Sequence, residues 1–274
     1  MTQMKRRQIF GWYAAAVLAA LLVPSARAIL GAPPSAPSAL PASDSIPAKG
    51  GPIIITPIFH GTVQIEYGGK VIVIDPWSQA DLSAVKPADL VLITDIHGDH
   101  LDLNAIRKVR KARAPIIAPR AASKQLDAVQ DANRVYLDNG ADVVASGVTV
   151  EAVPMYNLVR GPEPGKLFHD KGRGNGYVLT VGGRRLYFSG DTENVPELRK
   201  LKNVDVAFVC MNLPYTMPPV EAAALVKAMK PRIVYPYHYR GSNTQEFADA
   251  LKSEKNIEVR LRDFYAASAA RRAR

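Results

Sequence analysis

Cysteine and histidine are both scarce in this 274-residue chain, and each scarcity restricts how the sequence can be interpreted. Cys210 is the single cysteine, so the chain can form no internal disulfide, and an exported form must be stable without one. Because Cys210 follows the apolar residues 206–209, we expect a buried strand thiol rather than a reactive one. Histidine occurs only five times, so a loop that holds two of the five stands out.

The chain also lacks any segment that resembles a nucleic-acid-binding module, although its formal net charge is +10. Four basic residues, Lys5, Arg6, Arg7 and Arg27, lie in the first 28 residues, which contain no acidic residue. Removal of residues 1–28 would therefore lower the formal net charge from +10 to +6. The remaining excess is expected to be solvated surface charge that can attract an anionic molecule. We therefore expect a small-molecule partner and no nucleic acid.

Residues 1–28 have the composition of a secretory signal peptide. Basic residues precede an apolar run at positions 9–23, and Ala26-Arg27-Ala28 supplies the small residues that a signal peptidase recognises. The run is shorter than the roughly 20 apolar residues of a membrane span. We predict cleavage after Ala28 and a periplasmic or secreted protein. An uncleaved signal segment is the alternative, and it would be the protein's only membrane attachment.

Three further regions follow the signal segment. Residues 29–51 are rich in proline and alanine and carry too little apolar surface to fold, which predicts a flexible linker. Residues 52–265 are predicted to form the folded domain. Residues 266–274 are predicted to form a basic C-terminal tail.

Within the folded domain, short β patterns alternate with helical patterns, and their order repeats. Gly68-Gly69 and Gly182-Gly183 each form a predicted two-residue hairpin turn that leads into an apolar strand. Further strands and a helix follow each turn at nearly constant spacing. This repeat predicts an α/β fold of two similar β-rich halves, each with helices packed outside it.

The loop at residues 94–102 carries the strongest functional signal. It reads Thr-Asp-Ile-His-Gly-Asp-His-Leu-Asp and directly follows the apolar run at 90–93. Imidazoles and carboxylates crowded at a strand end can converge on a metal ion, whereas burying several of them unpaired is costly. His97, Asp99 and His100 are therefore the strongest candidate ligands.

Other candidate residues also follow predicted strands. His60, Asp191 and His238 each come directly after a β pattern, two of them in the second half. Strand ends from the two halves can meet along the seam between them. The sequence thus predicts one site assembled from both halves.

Six segments together carry a resemblance to a known family. In chain order they are Phe59-His60-Gly61-Thr62, Ile74-Asp75-Pro76-Trp77, residues 95–102, Ala152-Val153-Pro154-Met155-Tyr156-Asn157, Gly190-Asp191-Thr192 and Tyr237-His238-Tyr239. Over most of residues 53–262 the chain resembles the metallo-β-lactamase-fold hydrolases. Within them it looks most like the branch that includes lactonases and phospholipase-D-type N-acylethanolamine enzymes. The resemblance implies an αβ/βα four-layer sandwich built from two similar halves.

The resemblance also implies a centre of two divalent metal ions, with zinc favoured and manganese or iron as alternatives. Asp99, His100 and His238 would hold one ion, and Asp191 would bridge the two. The implied ligands are Asp95, His97, Asp99, His100, His169, Asp191 and His238.

Two positions depart from the family pattern. Asp95 stands where the first histidine of the family's His-x-His-x-Asp-His loop is expected, and it would bind the first ion with His97 through an oxygen, which favours manganese or iron more than an imidazole does. Asn157 stands near the position of a later histidine ligand and is a poor ligand itself. His169 is predicted to supply the missing imidazole or to contact the substrate.

Five residues are predicted to orient the ligands or to contact the substrate. They are His60, Asp75, Asp102, Asn157 and Tyr156.

The implied activity is metal-dependent hydrolysis of an ester, lactone or phosphodiester-type substrate by a metal-bound hydroxide, with Asp99 as the catalytic residue that orients the nucleophile and moves its proton. Two alternatives remain open at the level of sequence. One is a non-catalytic or single-metal binding or sensor module of the same fold, since Asp95 and Asn157 could have emptied the first site. The other is a diiron oxidoreductase, since oxygen-rich ligation suits iron.

Overall fold

The computed structural model describes residues 42–266, so the predicted signal peptide lies outside the described residues, as does the tail beyond Ala266. The strands are β1 (Asp44–Ile46), β2 (Ile53–Phe59), β3 (Thr62–Tyr67), β4 (Lys70–Ile74), β5 (Leu90–Leu92), β6 (Pro115–Pro119), β7 (Asn133–Leu137), β8 (Asp142–Ala145), β9 (Val148–Met155), β10 (Gly174–Val181), β11 (Arg184–Phe188), β12 (Val206–Cys210), β13 (Ile233–Tyr237) and β14 (Glu258–Val259). The α-helices are α1 (Leu103–Val109), α2 (Ser123–Leu126), α3 (Pro219–Met229) and α4 (Thr244–Ala250), and short 3-10 turns span Arg120–Ala122 and Leu198–Lys200.

The strands form two seven-stranded sheets of the same design. The first sheet contains β1 to β7 and the second contains β8 to β14, each with its strands side by side in chain order. In the first sheet β3 and β4 are antiparallel, and β4, β5 and β6 are parallel. In the second sheet β10 and β11 are antiparallel, and β11, β12 and β13 are parallel. The predicted α/β fold of two similar halves is confirmed.

The paired glycines explain the two matching hairpins. Gly68 and Gly69 have φ values of 55° and 73°, and Gly182 and Gly183 have 54° and 75°. A two-residue turn with both residues in the left-handed region matches the twist of the flanking strands, and glycine reaches that region without a Cβ clash.

The buried apolar residues form two clusters, and alternate residues of β4 belong to different clusters. Ile72 and Ile74 of β4 belong to the larger cluster, which also contains apolar residues of β9 to β13 and of α3. Val71 and Val73 belong to the other cluster, which includes the buried face of α1. Successive side chains of a strand point to opposite faces, so the first sheet buries both of its faces.

The predicted linker extends too far along the chain. β1 lies within residues 29–51, pairs antiparallel with β2 and buries Ile46. The Asp44 carboxylate accepts two hydrogen bonds from Arg262, one from Nε at 2.9 Å and one from Nη2 at 2.7 Å. The folded region therefore begins before residue 52. Arg262, which lies 218 residues after Asp44 in the chain, holds this polar segment in place.

Among residues 42–266, no helix combines the length and the apolar character that crossing a bilayer requires.

Candidate metal centre

The candidate site lies where strands of both sheets end. His60 follows β2, Asp75 follows β4 and His238 follows β13, and their φ values are 54°, 43° and 46°. A left-handed backbone costs an ordinary residue about 1–3 kcal/mol, and it turns the chain sharply at the end of the strand. Three such residues in one place indicate that the surrounding structure holds the side chains in set positions.

The first group of candidate ligands consists of Asp95, His97 and His169. Each offers a ligand atom, and these atoms lie within 4.8 Å of one another. Asp95 Oδ2 is 2.6 Å from His97 Nδ1 and 3.9 Å from His169 Nε2. Burial alone would raise the pKa of Asp95, but the hydrogen bond from His97 and the neighbouring histidines lower it well below its usual value.

The second group consists of His100, Asp191 and His238, whose ligand atoms also lie within 4.8 Å of one another. Asp191 Oδ2 is 3.5 Å from His100 Nε2, and Asp191 Oδ1 is 3.2 Å from His238 Nδ1. Asp99 stands beside this group, with its carboxylate oxygens 4.0 Å from His100 Nε2 and 3.5 Å from His238 Nε2.

Asp191 lies between the two groups. Its Oδ2 atom is also 3.4 Å from Nε2 of His169 in the first group. Burial would raise the pKa of this carboxyl, but His238 and His100 hold the pKa well below its ordinary value. An ionised carboxylate shared by two clusters of imidazoles is suited to bridge two cations.

Unpaired atoms in these groups fit divalent metal ions. Asp95 Oδ1, His100 Nε2, Asp191 Oδ1 and both ring nitrogens of His238 are buried and have no hydrogen-bond partner within residues 42–266. Each such atom would cost roughly 1–3 kcal/mol if nothing satisfied it. Imidazole nitrogens and carboxylate oxygens are the atoms that zinc and related ions bind.

Asp75 orients His100 from behind. Its Oδ2 accepts from His100 Nδ1 at 2.8 Å and from Thr94 Oγ1 at 2.5 Å, and Oδ1 accepts from the Thr94 amide at 2.8 Å. With Nδ1 engaged in this way, Nε2 of His100 faces Asp191. A carboxylate behind a histidine fixes the ring and its tautomer in many metal sites.

Asn157 supports His169 in the same way. Its Oδ1 atom lies 2.5 Å from His169 Nδ1, which leaves His169 Nε2 toward Asp95 and Asp191. Asn157 Nδ2 donates to Glu193 Oε1 at 3.1 Å. Asn157 therefore lies behind the group and His169 within it.

His60 lies between Asp99 and Tyr265 and contacts both. Its Nε2 atom lies 3.1 Å from Asp99 Oδ2, and its Nδ1 atom lies 2.5 Å from the Tyr265 hydroxyl. Its ring packs on His238 with centroids 3.7 Å apart. Burial and the neighbouring His238 lower the pKa of His60 to about 3, so the ring is a neutral hydrogen-bonding group at ordinary pH.

All five histidines of the chain thus meet in one place, together with Asp95, Asp99 and Asp191. Two of the predicted residues do not join them. Asp102 caps α1 by accepting from the Asn104 and Ala105 amides. Tyr156 directs its hydroxyl to Glu197 at 2.9 Å.

Sequence reasoning missed Arg173, Glu193 and Tyr265. Arg173 contacts Asp95, Glu193 is buried behind Asn157, and Tyr265 contacts His60. Each is far in sequence from its partner, so only the folded chain identifies it. The one signal available in the sequence was that Arg173 is a basic residue in the glycine-rich loop that also carries His169.

Two sheets of matching design with a histidine and aspartate centre at their strand ends define a metallohydrolase fold. Residues 55–238 match the family model described as a beta-lactamase superfamily domain. The chain therefore belongs to the metallo-β-lactamase superfamily, and it is a metal-dependent hydrolase.

Similar proteins agree with this assignment. A UPF0173 metal-dependent hydrolase of Thermococcus kodakarensis is 32% identical over 190 residues, which cover 66% of this chain and 81% of the relative. A crystal structure from Parabacteroides distasonis, assigned as a metal-dependent hydrolase, is 40% identical with a TM-score of 0.75, covering 81% of this chain and 99% of that one. Igni18, a metallo hydrolase of Ignicoccus hospitalis, shares the fold at 23% identity with a TM-score of 0.63, covering 76% and 94% of the two chains. The predicted lactonase-like branch stays a prediction.

Proposed function

We propose that this hydrolase uses two divalent ions to cleave an ester, lactone or phosphodiester bond. One observation carries the proposal: candidate ligand atoms from both halves of the fold converge in three groups, of which two share His238, and several of these atoms are buried without a hydrogen-bond partner within residues 42–266. Asp95, His97 and His169 would hold the first ion. Asp99, His100 and His238 would hold the second, with Asp191 between them. Zinc is the ion we propose first, with manganese or iron as the alternatives that the Asp95 oxygen favours.

Divalent ions at these positions would polarise the substrate oxygen and acidify water. The chain's own residues would position and move the proton. Among the three candidate carboxylates, Asp99 has the most accessible side chain, 27% exposed against 0% for Asp95 and 5% for Asp191. Asp99 can therefore reach both the centre and an entering molecule, and we assign it the proton transfer.

His60 would hold Asp99 in position for that step. Because His60 Nδ1 is engaged with Tyr265 and Nε2 with Asp99, both ring nitrogens are used and the ring cannot rotate freely. The position of His169 supports the binding of two metal ions. It brings a second imidazole to the first group, which positions 95 and 157 lack because they hold Asp and Asn.

We also propose that the protein is exported and acts in a periplasmic or extracellular space. The support is the composition of residues 1–28. Amino-terminal sequencing of the protein isolated from its own cells tests this. A mature chain beginning at Ile29 is expected, and an intact amino terminus would contradict cleavage.

The activity is tested with metal-free protein reloaded separately with zinc, manganese or iron(II). Three substrates represent the candidate bonds: 4-nitrophenyl acetate, γ-butyrolactone and bis(4-nitrophenyl) phosphate. We expect metal-dependent turnover of at least one, and a loss of about 10²–10³-fold or more in Asp191→Asn and His238→Ala.

Asp138→Asn is the matched control, because it removes an exposed carboxylate that pairs only with Arg120 among the contacts of the described residues. It should keep full activity. Equal activity in metal-free and reloaded protein, or in wild type and Asp191→Asn, would refute the proposal.

A further inference from the structure

His238 belongs to two of the three groups of candidate ligands. One group is His60, Asp99 and His238, and the other is His100, Asp191 and His238; in each, the ligand atoms lie within 4.8 Å of one another. By distance alone, His60 is as well placed for the second ion as His100 is. The hydrogen bond to the other ring nitrogen distinguishes the two histidines, because an imidazole nitrogen that carries a proton cannot bind a metal ion.

Two histidines have a hydrogen-bond acceptor behind the ring. Asp75 accepts from His100 Nδ1 at 2.8 Å. Asn157 Nδ2 donates to the Glu193 carboxylate at 3.1 Å, which leaves the Asn157 oxygen to accept from His169 Nδ1. In both rings the proton is on Nδ1 and Nε2 is bare, and this is the form that binds a metal ion.

His60 has the opposite arrangement. Its Nε2 atom lies 3.1 Å from Asp99 Oδ2, and a carboxylate that binds a metal ion can only accept a hydrogen bond, so Nε2 carries the proton. A neutral imidazole has one such proton. Nδ1 of His60 is therefore bare, and the Tyr265 hydroxyl, 2.5 Å away, is its donor. The Arg240 amide donates to the same hydroxyl oxygen at 2.9 Å, which agrees with an O–H bond directed at His60.

The surroundings of the His60 ring disfavour a second proton on it. The ring is fully buried, and its centroid is 3.7 Å from that of the His238 ring. A charged His60 would therefore lie against a proposed metal ligand and beside a divalent ion, and burial of an additional positive charge there is costly.

The C-terminal segment holds Tyr265 against His60. The Phe264 carbonyl accepts from the His60 amide at 3.3 Å, and the Phe264 side chain is fully buried. The Tyr265 ring packs edge-on against the rings of Phe59 and Tyr239, with centroid distances of 5.4 and 4.9 Å. Tyr265 is therefore fixed both by the backbone beside it and by neighbouring aromatic rings.

We infer that Tyr265 is a positioning residue of the hydrolase. Its hydroxyl donates to His60 Nδ1, which keeps His60 as the donor that holds Asp99 and keeps His60 out of the metal centre. The second ion then has His100, and not His60, among its ligands. This inference rests on the proposed function in one respect, namely that Asp99 performs the proton transfer.

The protonation of His60 is measured by nitrogen NMR of zinc-loaded protein that contains isotopically labelled histidine. The chain has only five histidines, and His60 is assigned from its contacts with the Trp77 and Tyr265 rings. We expect a proton on Nε2, none on Nδ1 and no zinc on either atom. In Tyr265→Phe the Nδ1 resonance should shift, because its hydrogen bond is lost. A His60 ring that binds zinc, or that carries its proton on Nδ1, would overturn the inference.

Turnover of the substrate that the enzyme accepts tests the role in the reaction. Tyr265→Phe should leave KM unchanged and lower kcat by about three- to tenfold, the effect of one hydrogen bond between uncharged groups. Tyr239→Phe is the matched control. The Tyr239 hydroxyl bonds the Arg262 carbonyl and the Phe264 amide of the same C-terminal segment, so its loss disturbs that segment without removing the donor to His60. This variant should keep the wild-type kcat.

A double variant shows whether Tyr265 acts through His60. Tyr265→Phe should cause no further loss when it is added to His60→Ala, because the residue through which it acts is gone. An unchanged kcat in Tyr265→Phe, an equal loss in Tyr239→Phe, or a further loss in the double variant would each contradict the positioning role. Thermal unfolding verifies that each variant is folded.

The NMR measurement separates this inference from the hydrolase proposal, because it needs neither a substrate nor the His60→Ala variant. If nothing is turned over but His60 is protonated on Nε2 and Tyr265→Phe shifts Nδ1, the placement of His60 outside the metal centre is correct and the hydrolytic assignment is wrong. If a substrate is turned over and Tyr265→Phe changes neither kcat nor the Nδ1 resonance, only the positioning role of Tyr265 fails.

Discussion

Arg173 Nη2 lies 3.3 Å from Asp95 Oδ2, and the same nitrogen donates to the Phe168 carbonyl at 2.8 Å. Asp95 occupies the position where the superfamily pattern has a neutral histidine, so it adds a negative charge to the first group of ligands. The Arg173 guanidinium supplies a positive charge beside it. The two charges therefore offset each other, and Asp95 together with Arg173 has the net charge that a neutral histidine alone would have at position 95.

The first prediction follows from this balance. Asp95→His should leave Arg173 without its carboxylate and lower the affinity of the first group for zinc by at least about tenfold, because the guanidinium would then repel the ion with no carboxylate to offset it. At an effective dielectric constant of 20, even two unit charges about 5 Å apart repel by roughly 3 kcal/mol, and a divalent ion doubles the repulsion. Adding Arg173→Gln should restore most of the affinity. Competition with a chromophoric chelator measures both.

The matched control adds Arg120→Gln to Asp95→His. Arg120 pairs with Asp138 at the surface, so its loss should restore nothing. A double variant of Asp95 and Arg173 that binds zinc no better than Asp95→His alone would show that Arg173 does not compensate for Asp95.

The second prediction concerns the carboxylate behind His100. Asp75→Asn keeps the size of the side chain but can present an amide nitrogen to His100 Nδ1, which now lies 2.8 Å from a carboxylate oxygen. We expect the affinity for divalent ions to fall by about 10–100-fold. Asp89→Asn is the control, because Asp89 accepts from the Val71 amide of β4 and from Lys111 in the loop after α1 but touches no candidate ligand. Equal losses in the two variants would mean that Asp75 acts only on stability.

The third prediction tests whether the fold begins at β1. Burial would raise the pKa of Asp44, but hydrogen bonds from Arg262 and Tyr235 lower it overall. A lowered carboxyl pKa stabilises the folded state above the unfolded value of about 3.9, and this stabilisation is lost as the pH falls through the folded value. Asp44→Asn should therefore reduce the free energy of unfolding by about 1–2 kcal/mol at pH 7.

That difference should disappear as the pH falls from about 4 toward 2. Urea unfolding of the metal-free protein at pH 7, 5, 4 and 3 measures it. Asp138→Asn, which removes an exposed carboxylate, should change stability little at any of these pH values. A loss in Asp44→Asn that is the same at pH 3 as at pH 7 would exclude the ionised pair as its cause.

Much of the fold and of the centre could be predicted because local chemistry specifies it. Paired glycines fix two hairpins, apolar runs fix the strands, and ligand-type side chains at strand ends meet when two similar halves pack. Partners distant in sequence could not be predicted in this way. Asp95 and Arg173 are 78 residues apart, and His60 and Tyr265 are 205 apart. β1 was missed because its polar residues Asp44 and Ser45 are ordered by tertiary contacts rather than by their own pattern.

Metal stoichiometry tests the central claim most directly. Metal-free wild-type protein, titrated with zinc or manganese and analysed by elemental mass spectrometry after removal of loosely bound ions, should retain two ions per chain. The double variant His97→Ala with His169→Ala should retain one, because it loses two of the three ligands of the first group and leaves the second group intact. A single ion in the wild type, or two ions in the double variant, would contradict the two-metal centre.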